Sequence, residues 1–376
     1  MSAPVWADLV GQDAVVGTLE AAVGGQMTHA WLFTGPPGSG RSTAALAFAA
    51  ALQCDRGGCG ECHSCVTAAA GSHPDIAVVN TDGLSIGVDA ARDAVRRAAL
   101  HPSVGRWQIL VVEDADRLTD NAANALLKSL EEPAPATVWL LCAPAVEDVI
   151  TTIRSRCRPV LLRTPPLADV ARLLVERDGI EPQAARAAAA AAQGHIGRAR
   201  GLARDPAART RRAEILALPV GLRGLADCLA AARRIDEEAS ERSRLRCDEL
   251  DAKELTSLQT AWGVEERGRR PAGYAGALSG LTKEQDRRRK RMARDAVDGV
   301  LLDLLSFQRD VLAQQLGAGA EAINPDVAAD VTTMAQRTTA EQTLTSIDAI
   351  IECRAALEAN AAPQLALEHM MTRFLR

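Results

Sequence analysis

The chain has 376 residues, of which 47% are hydrophobic, 24% charged and only 3% aromatic. That length predicts two to four domains, and the apolar fraction is that of a globular protein. The net charge of −5 excludes a protein that coats nucleic acid by bulk charge, though not one with a local basic patch. The 43 basic residues are 39 arginines and 4 lysines, Lys128, Lys253, Lys283 and Lys290, a skew that reads as compositional drift rather than local chemistry. No stretch approaches the roughly 20 apolar residues of a membrane span. Met1 to Leu9 has neither a basic start nor an apolar run, so no secretory signal is expected. Nine cysteines then point to a reducing compartment, the cytoplasm, and to a metal site rather than disulfides.

In chain order, residues 1–165 alternate short apolar runs with helical patterns. The runs Ala30–Thr34, Ile76–Asn80, Gln108–Val112, Val138–Ala143 and Val160–Leu162 are bounded by Gly, Pro, Asp or Asn and predict strands. Apolar strands separated by helices read as a parallel sheet covered on both faces. Helices are predicted at Gln12–Val23, Ser42–Leu52, Val88–Leu100 and Thr119–Glu131, the last capped by Thr119 and stopped by Pro133. Past Pro165-Pro166 the strand signal ends. Leu167–Val175, Pro182–Ala192 and Gly194–Gly201 predict three small helices, residues 166–205. Residues 206–376 read as all helical, most clearly at Leu222–Arg234, Ala296–Leu316 and Thr345–Leu357. The polar stretch Glu237–Arg294 reads as a long helix pair or a loop, and its basic run, Arg287–Arg291, as a solvated helix face rather than a DNA patch.

The strand Ala30–Thr34 runs into Gly35-Pro-Pro-Gly38-Ser-Gly40-Arg41-Ser42-Thr43 and then an alanine-rich helix. This is the strand–loop–helix setting of the P-loop, where glycines let backbone N–H groups wrap a phosphate at a helix N-terminus. Arg41 stands where the signature has lysine, and a planar guanidinium is bulkier than an ammonium. The loop suits an anion, efficient hydrolysis is not expected, and nucleotide binding stays open. Glu113-Asp114 closes the strand Gln108–Val112, where such folds hold Mg²⁺ and orient water, but the usual order is Asp then Glu.

Cys54, Cys59, Cys62 and Cys65 offer four thiolates within a dozen residues. Their spacing suits a closed tetrahedral Zn²⁺ site, which is structural because no coordination position stays open. His63 is a substitute ligand on spacing alone. The other five cysteines read as buried fillers.

Together these pieces resemble the bacterial clamp-loader AAA+ subunits of DNA polymerase III, well over residues 1–205 and beyond that only in being helical. The resemblance rests on His29-Ala-Trp-Leu-Phe-Thr-Gly35, the four-cysteine insertion after the P-loop helix, His73-Pro-Asp75, the run Asn121–Pro133 and Ser155-Arg156-Cys157. It implies an α/β AAA+ (P-loop NTPase-like) core at 1–165 with a zinc module at 54–65. A helical lid at 166–205 and an all-α collar at 206–376 would follow. Val10, Gly11 and Gln12 would line an adenine site, Gly35, Gly38, Gly40, Arg41, Ser42, Thr43, Glu113 and Asp114 a phosphate site for ATP or ADP, and Arg198 a sensor. Arg156 would be an arginine finger acting in trans. Arg41, the inverted acids and Ala143-Pro144 in place of a polar sensor favour the non-motor delta' kind over the gamma/tau ATPase. Independent catalysis is then not expected, and the chain would be a component of the polymerase holoenzyme. The alternatives are an active gamma/tau-type ATPase and a stand-alone DNA-stimulated P-loop ATPase. The implied partners are gamma/tau and delta subunits in a ring of five, with the sliding clamp and primed DNA reached through the complex.

Overall fold

The computed structural model describes residues 3–80, 85–262, 264, 271, 273–359 and 361–375. After a 3-10 turn at Pro4–Trp6 come α1 (Asp13–Val23), β1 (Ala30–Thr34), α2 (Arg41–Gln53), α3 (His63–Ala69), β2 (Ile76–Val79), α4 (Val88–Ala98) and β3 (Gln108–Val112). These lead to α5 (Asp120–Glu131), β4 (Thr137–Ala143), α6 (Thr151–Arg154) and β5 (Arg158–Leu161). Helices follow: α7 (Leu167–Glu176), α8 (Pro182–Ala191), α9 (Ile196–Arg204), α10 (Pro206–Gly221), α11 (Leu225–Ala261), α12 (Tyr274–Gln315), α13 (Ala328–Arg337), α14 (Ala340–Glu358) and α15 (Pro363–Arg373). The chain divides into two compact units, Met1–Ala203 and Arg204–Arg376.

In the first unit the strands form one sheet in the order β2-β3-β4-β1-β5, and every neighbouring pair is parallel. β1, β3 and β4 are buried along their whole length. Because side chains alternate between faces, Trp31, Phe33, Ile109, Val111 and Leu140 pack with α1 and α2 on one side. Leu32, Leu110, Trp139 and Leu141 pack with α4 and α5 on the other. The alanines of α2 let it approach the sheet closely, and Phe48 meets Trp31 edge-on at 5.1 Å. β5 pairs from Arg158 opposite Trp31, two residues before the apolar run that predicts it. It is an edge strand, the position where Pro159 is tolerated, so polar residues enter its ladder. The short helices α3 and α6 go unpredicted because one or two turns carry no periodicity.

The second unit is a helical bundle. Leu301, Leu304, Phe307 and Val311 of α12 share its core with Ile350, Leu367, Met370 and Met371, so the apolar stripes of α12 and α14 are spent on this domain's own interior. The stretch Glu237–Arg294 is a pair of long helices over its described part, while residues 263, 265–270 and 272 of that stretch lie outside the described residues. The basic run does not form a solvated face throughout. Arg289 pairs with Asp248 at 2.7 Å and Asp251 at 2.6 Å, and Arg288, its side chain 11% exposed, pairs with Asp251 and Glu254. These arginines staple α12 to α11. Among the described residues, no helix is long and apolar enough to cross a membrane.

Asp75, buried at the start of β2, fixes the loop before β3. Its carboxylate accepts from the backbone N–H groups of Ser103 (2.6 Å), Val104 (2.8 Å) and Gly105 (2.6 Å) and from the Ser103 hydroxyl (2.7 Å). Burial pushes the carboxyl pKa up, but these donors outweigh it and hold the group at about 2, below its ordinary 3.8. A folded-state pKa below the unfolded one stabilises the protein above the unfolded value and loses that contribution as pH falls through the folded one. The shift corresponds to roughly 2 kcal/mol. Urea unfolding as a function of pH should therefore show this contribution complete above pH 4 and lost between about 4 and 2. Asp75→Asn should be less stable at neutral pH and lack that part of the acid slope; an unchanged slope would remove the assigned role.

Candidate phosphate loop, thiolate cluster and external arginine

The four cysteines come together at the end of α2. Cys54 follows its last turn, Cys62 precedes α3 and Cys65 lies within it. All four sulfurs lie within 4.8 Å of one another, with Cys54–Cys59 at 3.6 Å and Cys54–Cys62 at 3.7 Å. The edge of a sulfur tetrahedron around an ion at about 2.3 Å is about 3.8 Å, so the set is sized for a metal ion; His63 is not a member of it. Gly58, at φ +109°, lets the turn pass Val5, whose methyl would lie 2.4 Å from an added Cβ. Burial pushes the Cys54 thiol up, but N–H groups of Cys59, Gly58 and Arg56 pull it down to about 6. Burial raises Cys65.

The loop from Gly35 to Ser42 joins β1 to α2. Gly35, Gly38 and Gly40 all have positive φ, as a loop that turns its N–H groups inward requires. Several of its polar groups are bonded within the chain, while the Ser39 hydroxyl is buried without a hydrogen-bond partner among the described residues. Arg41 Nη1 donates to the Gly35 carbonyl, and the Gly35 N–H donates to the Pro144 carbonyl at 3.1 Å. Gln12, 4% exposed, donates to the carbonyls of Ser39 (3.3 Å) and Arg163 (2.6 Å) and accepts from the Arg163 N–H. The segment expected at an adenine thus seams the loop to the end of the sheet. Gly11 has no room for a side chain, because a Cβ would meet Pro166 at 2.6 Å.

The structure brings Glu113 and Asp114 to the same edge of the sheet, half-buried after β3. Burial raises the Asp116 carboxyl, Asp114 adds repulsion, and Arg117 and Arg41 oppose it. Burial likewise pushes the Cys142 thiol up to about 12. Ser42 is half-buried and Thr43 exposed at the start of α2.

From the following helices, His195 reaches the loop. Its ring sits where a Gly38 Cβ would be, 2.5 Å from Cγ, and Nδ1 accepts the backbone N–H of Arg198 at 3.3 Å. His195 therefore caps α9 in its neutral form with the proton on Nε2, consistent with a pKa lowered by burial and by Arg198. Arg198 is half-buried on the first turn of α9. Sequence reasoning missed His195, although its place between two glycines before Arg198 was a signal.

Arg156 lies elsewhere. It follows α6 and precedes β5, at the edge from which the parallel strands start; the loop is at the edge where they end. The length of β1, about 16 Å, separates the two edges. Its Nη1 donates to the Thr152 carbonyl at 2.7 Å and the Ser155 hydroxyl at 3.1 Å, and Nη2 pairs with Glu131 at the end of α5. Glu131 was also missed, although a carboxylate in the last turn of a helix is locally unfavourable and so points to a partner.

A P-loop in mid-sheet, helices on both faces and a three-helix appendage define an α/β AAA+ (P-loop NTPase-like) protein. Two family models match: "DNA polymerase III, delta subunit" over residues 11–166 and "DNA polymerase III, delta subunit, C terminal" over residues 293–376. The chain is 42% identical over 138 residues to DNA polymerase III subunit delta' of Pseudomonas aeruginosa, covering 35% of this chain and 42% of that one. It is 34% identical over 167 residues to the delta' subunit of Bacillus subtilis, 43% and 50% of the two chains. It is 35% identical over 184 residues to the gamma/tau subunit of Mycobacterium tuberculosis, 46% and 32%. The matched segment spans half or less of each of these relatives. The chain is thus similar, over these segments, to the delta' and gamma/tau subunits of bacterial DNA polymerase III.

The contact between Gly38 and His195 is open to test by unfolding. Gly38→Ala should destabilise the protein by roughly 1–3 kcal/mol through positive φ and the collision. Adding His195→Ala should recover the collision but not the backbone part. No recovery would mean that His195 does not crowd the loop.

Proposed function

We propose that this chain is the delta' component of a DNA polymerase III clamp loader: a non-motor AAA+ subunit that helps assemble the ring and supplies Arg156 in trans. The observation that carries this reading is the position of Arg156 on the sheet edge opposite the chain's own loop, partly exposed. A guanidinium there serves a phosphate bound by a neighbouring subunit, where it would stabilise charge developing on the transferred group. The loop supports a non-motor role from the other side: Arg41 is turned onto Gly35, and Gln12, Pro144 and His195 occupy the groups around it. If ATP or ADP binds there, Gly35, Gly38, Gly40, Arg41, Ser42 and Thr43 would hold its phosphates, with Arg198 close by on α9.

In this reading residues 166–205 form the lid and the second unit the collar that meets gamma/tau and delta subunits in a ring of five. The clamp and primed DNA are reached through that assembly in the cytoplasm. Cys54, Cys59, Cys62 and Cys65 would hold one Zn²⁺, a structural ion that orders the turn against the N-terminal segment.

Two measurements test this. In a complex reconstituted with gamma/tau and delta subunits, Arg156→Ala should lower ATP hydrolysis at the adjoining site by at least roughly tenfold while the complex still assembles. Unchanged hydrolysis overturns the trans role. Steady ATP turnover by the chain alone, abolished by changing Arg41 or Asp114, would instead favour a gamma/tau-type ATPase. Metal analysis should find about one zinc per chain, lost in Cys62→Ser together with thermal stability; a metal-free wild-type chain would remove the zinc assignment.

A further inference from the structure

The Arg156 side chain is tethered rather than loose. Three of its N–H bonds are engaged, two by the turn of α6 that precedes it, through the Thr152 carbonyl and Ser155 hydroxyl, and one by the Glu131 carboxylate. Both backbones that carry this pair are anchored in the core: Leu130, beside Glu131, and Ile153, three residues before Arg156, are fully buried. The end of α5 is fixed further by His29, whose Nε2 bonds the Leu130 carbonyl at 2.8 Å, and by Ser129, which accepts the Trp139 indole N–H at 3.2 Å. A carboxylate at that helix end opposes the helix dipole, so the site tolerates a local penalty in order to face Arg156. Its side chain is 47% exposed and that of Arg156 34%, so the pair lies at the surface and adds little to folding stability.

We propose that Glu131 is a positioning residue for Arg156, holding the guanidinium at one orientation on the outer edge of the sheet before the neighbouring subunit's phosphate arrives. The inference rests on the trans-arginine reading and deepens it. An arginine freed from this tether regains rotamer freedom that must be lost again in the transition state. An exposed ion pair is weak enough to be exchanged for, or shared with, a phosphate. Among the described residues, Nε and the second Nη2 hydrogen of Arg156 have no partner, so a phosphate can be met while the Glu131 contact stands.

The test uses the reconstituted complex with hydrolysis and assembly measured together. Glu131→Ala should lower kcat about fivefold with KM for ATP unchanged, with assembly and the melting temperature of the isolated chain also unchanged. Glu131→Gln, which keeps an acceptor at the same reach, should recover most of the loss. In an Arg156→Ala background, Glu131→Ala should add nothing. Full activity of Glu131→Ala beside a defective Arg156→Ala overturns the positioning role alone. So does a Glu131 effect that persists without Arg156. Full activity of Arg156→Ala overturns the trans reading itself.

Discussion

Every pairing in the sheet is parallel, and that one constraint divides the first unit into two edges with different chemistry. Strands that run the same way deliver all their C-terminal ends to one side. There the loop after β1, Glu113-Asp114 after β3, Pro144 after β4 and Arg163 after β5 converge. The opposite edge receives the entries to the strands and the ends of the helices that precede them, and there α5 stops at Glu131 and Arg156 stands before β5. A single chain thus holds its glycine-rich loop and Arg156 on opposite edges, where they cannot serve each other.

The loop edge is largely satisfied by the chain itself. Most buried polar groups find partners, and several here are internal, although the Ser39 and Thr34 hydroxyls are buried without one among the described residues. Gln12 bridges Ser39 and Arg163, Arg41 donates to Gly35, and the Gly35 N–H is taken by Pro144. The guanidinium is central, because its planar fork reaches a carbonyl of the same loop where a lysine ammonium would be a point charge. His195 adds a steric element, occupying the space that a glycine at position 38 leaves. The arginine edge is the reverse: its pair is exposed and joined through weak contacts to a rigid base.

Burial distributes the remaining charge. The arginine-rich stretch of α12 is matched against acids on α11 rather than offered to solvent. In the second unit, Arg212 is likewise buried against Asp303 at 2.6 Å. Ions removed from water need such partners, and a composition skewed to arginine meets that need through bidentate geometry.

The fold was legible in the sequence wherever a local signal was strong. Five apolar runs gave the strands, Thr119 and Pro133 the limits of α5, the glycine spacing the loop, and the cysteine spacing the cluster. What remained illegible depended on neighbours distant in the chain. The edge position of β5 admitted Arg158 and Pro159, and α3 and α6 were too short to show a period. The basic run read as a solvated face until α11 supplied its acids. The bonds of Gln12 to Ser39 and Arg163, 27 and 151 residues away, had no local signal. The sequence by itself determined which residues make the glycine-rich loop and the cysteine cluster, because those depend on residue type and spacing. Only the tertiary structure decided which of them face one another, and that Arg156 and the loop do not, because strand direction and burial are set by the whole sheet.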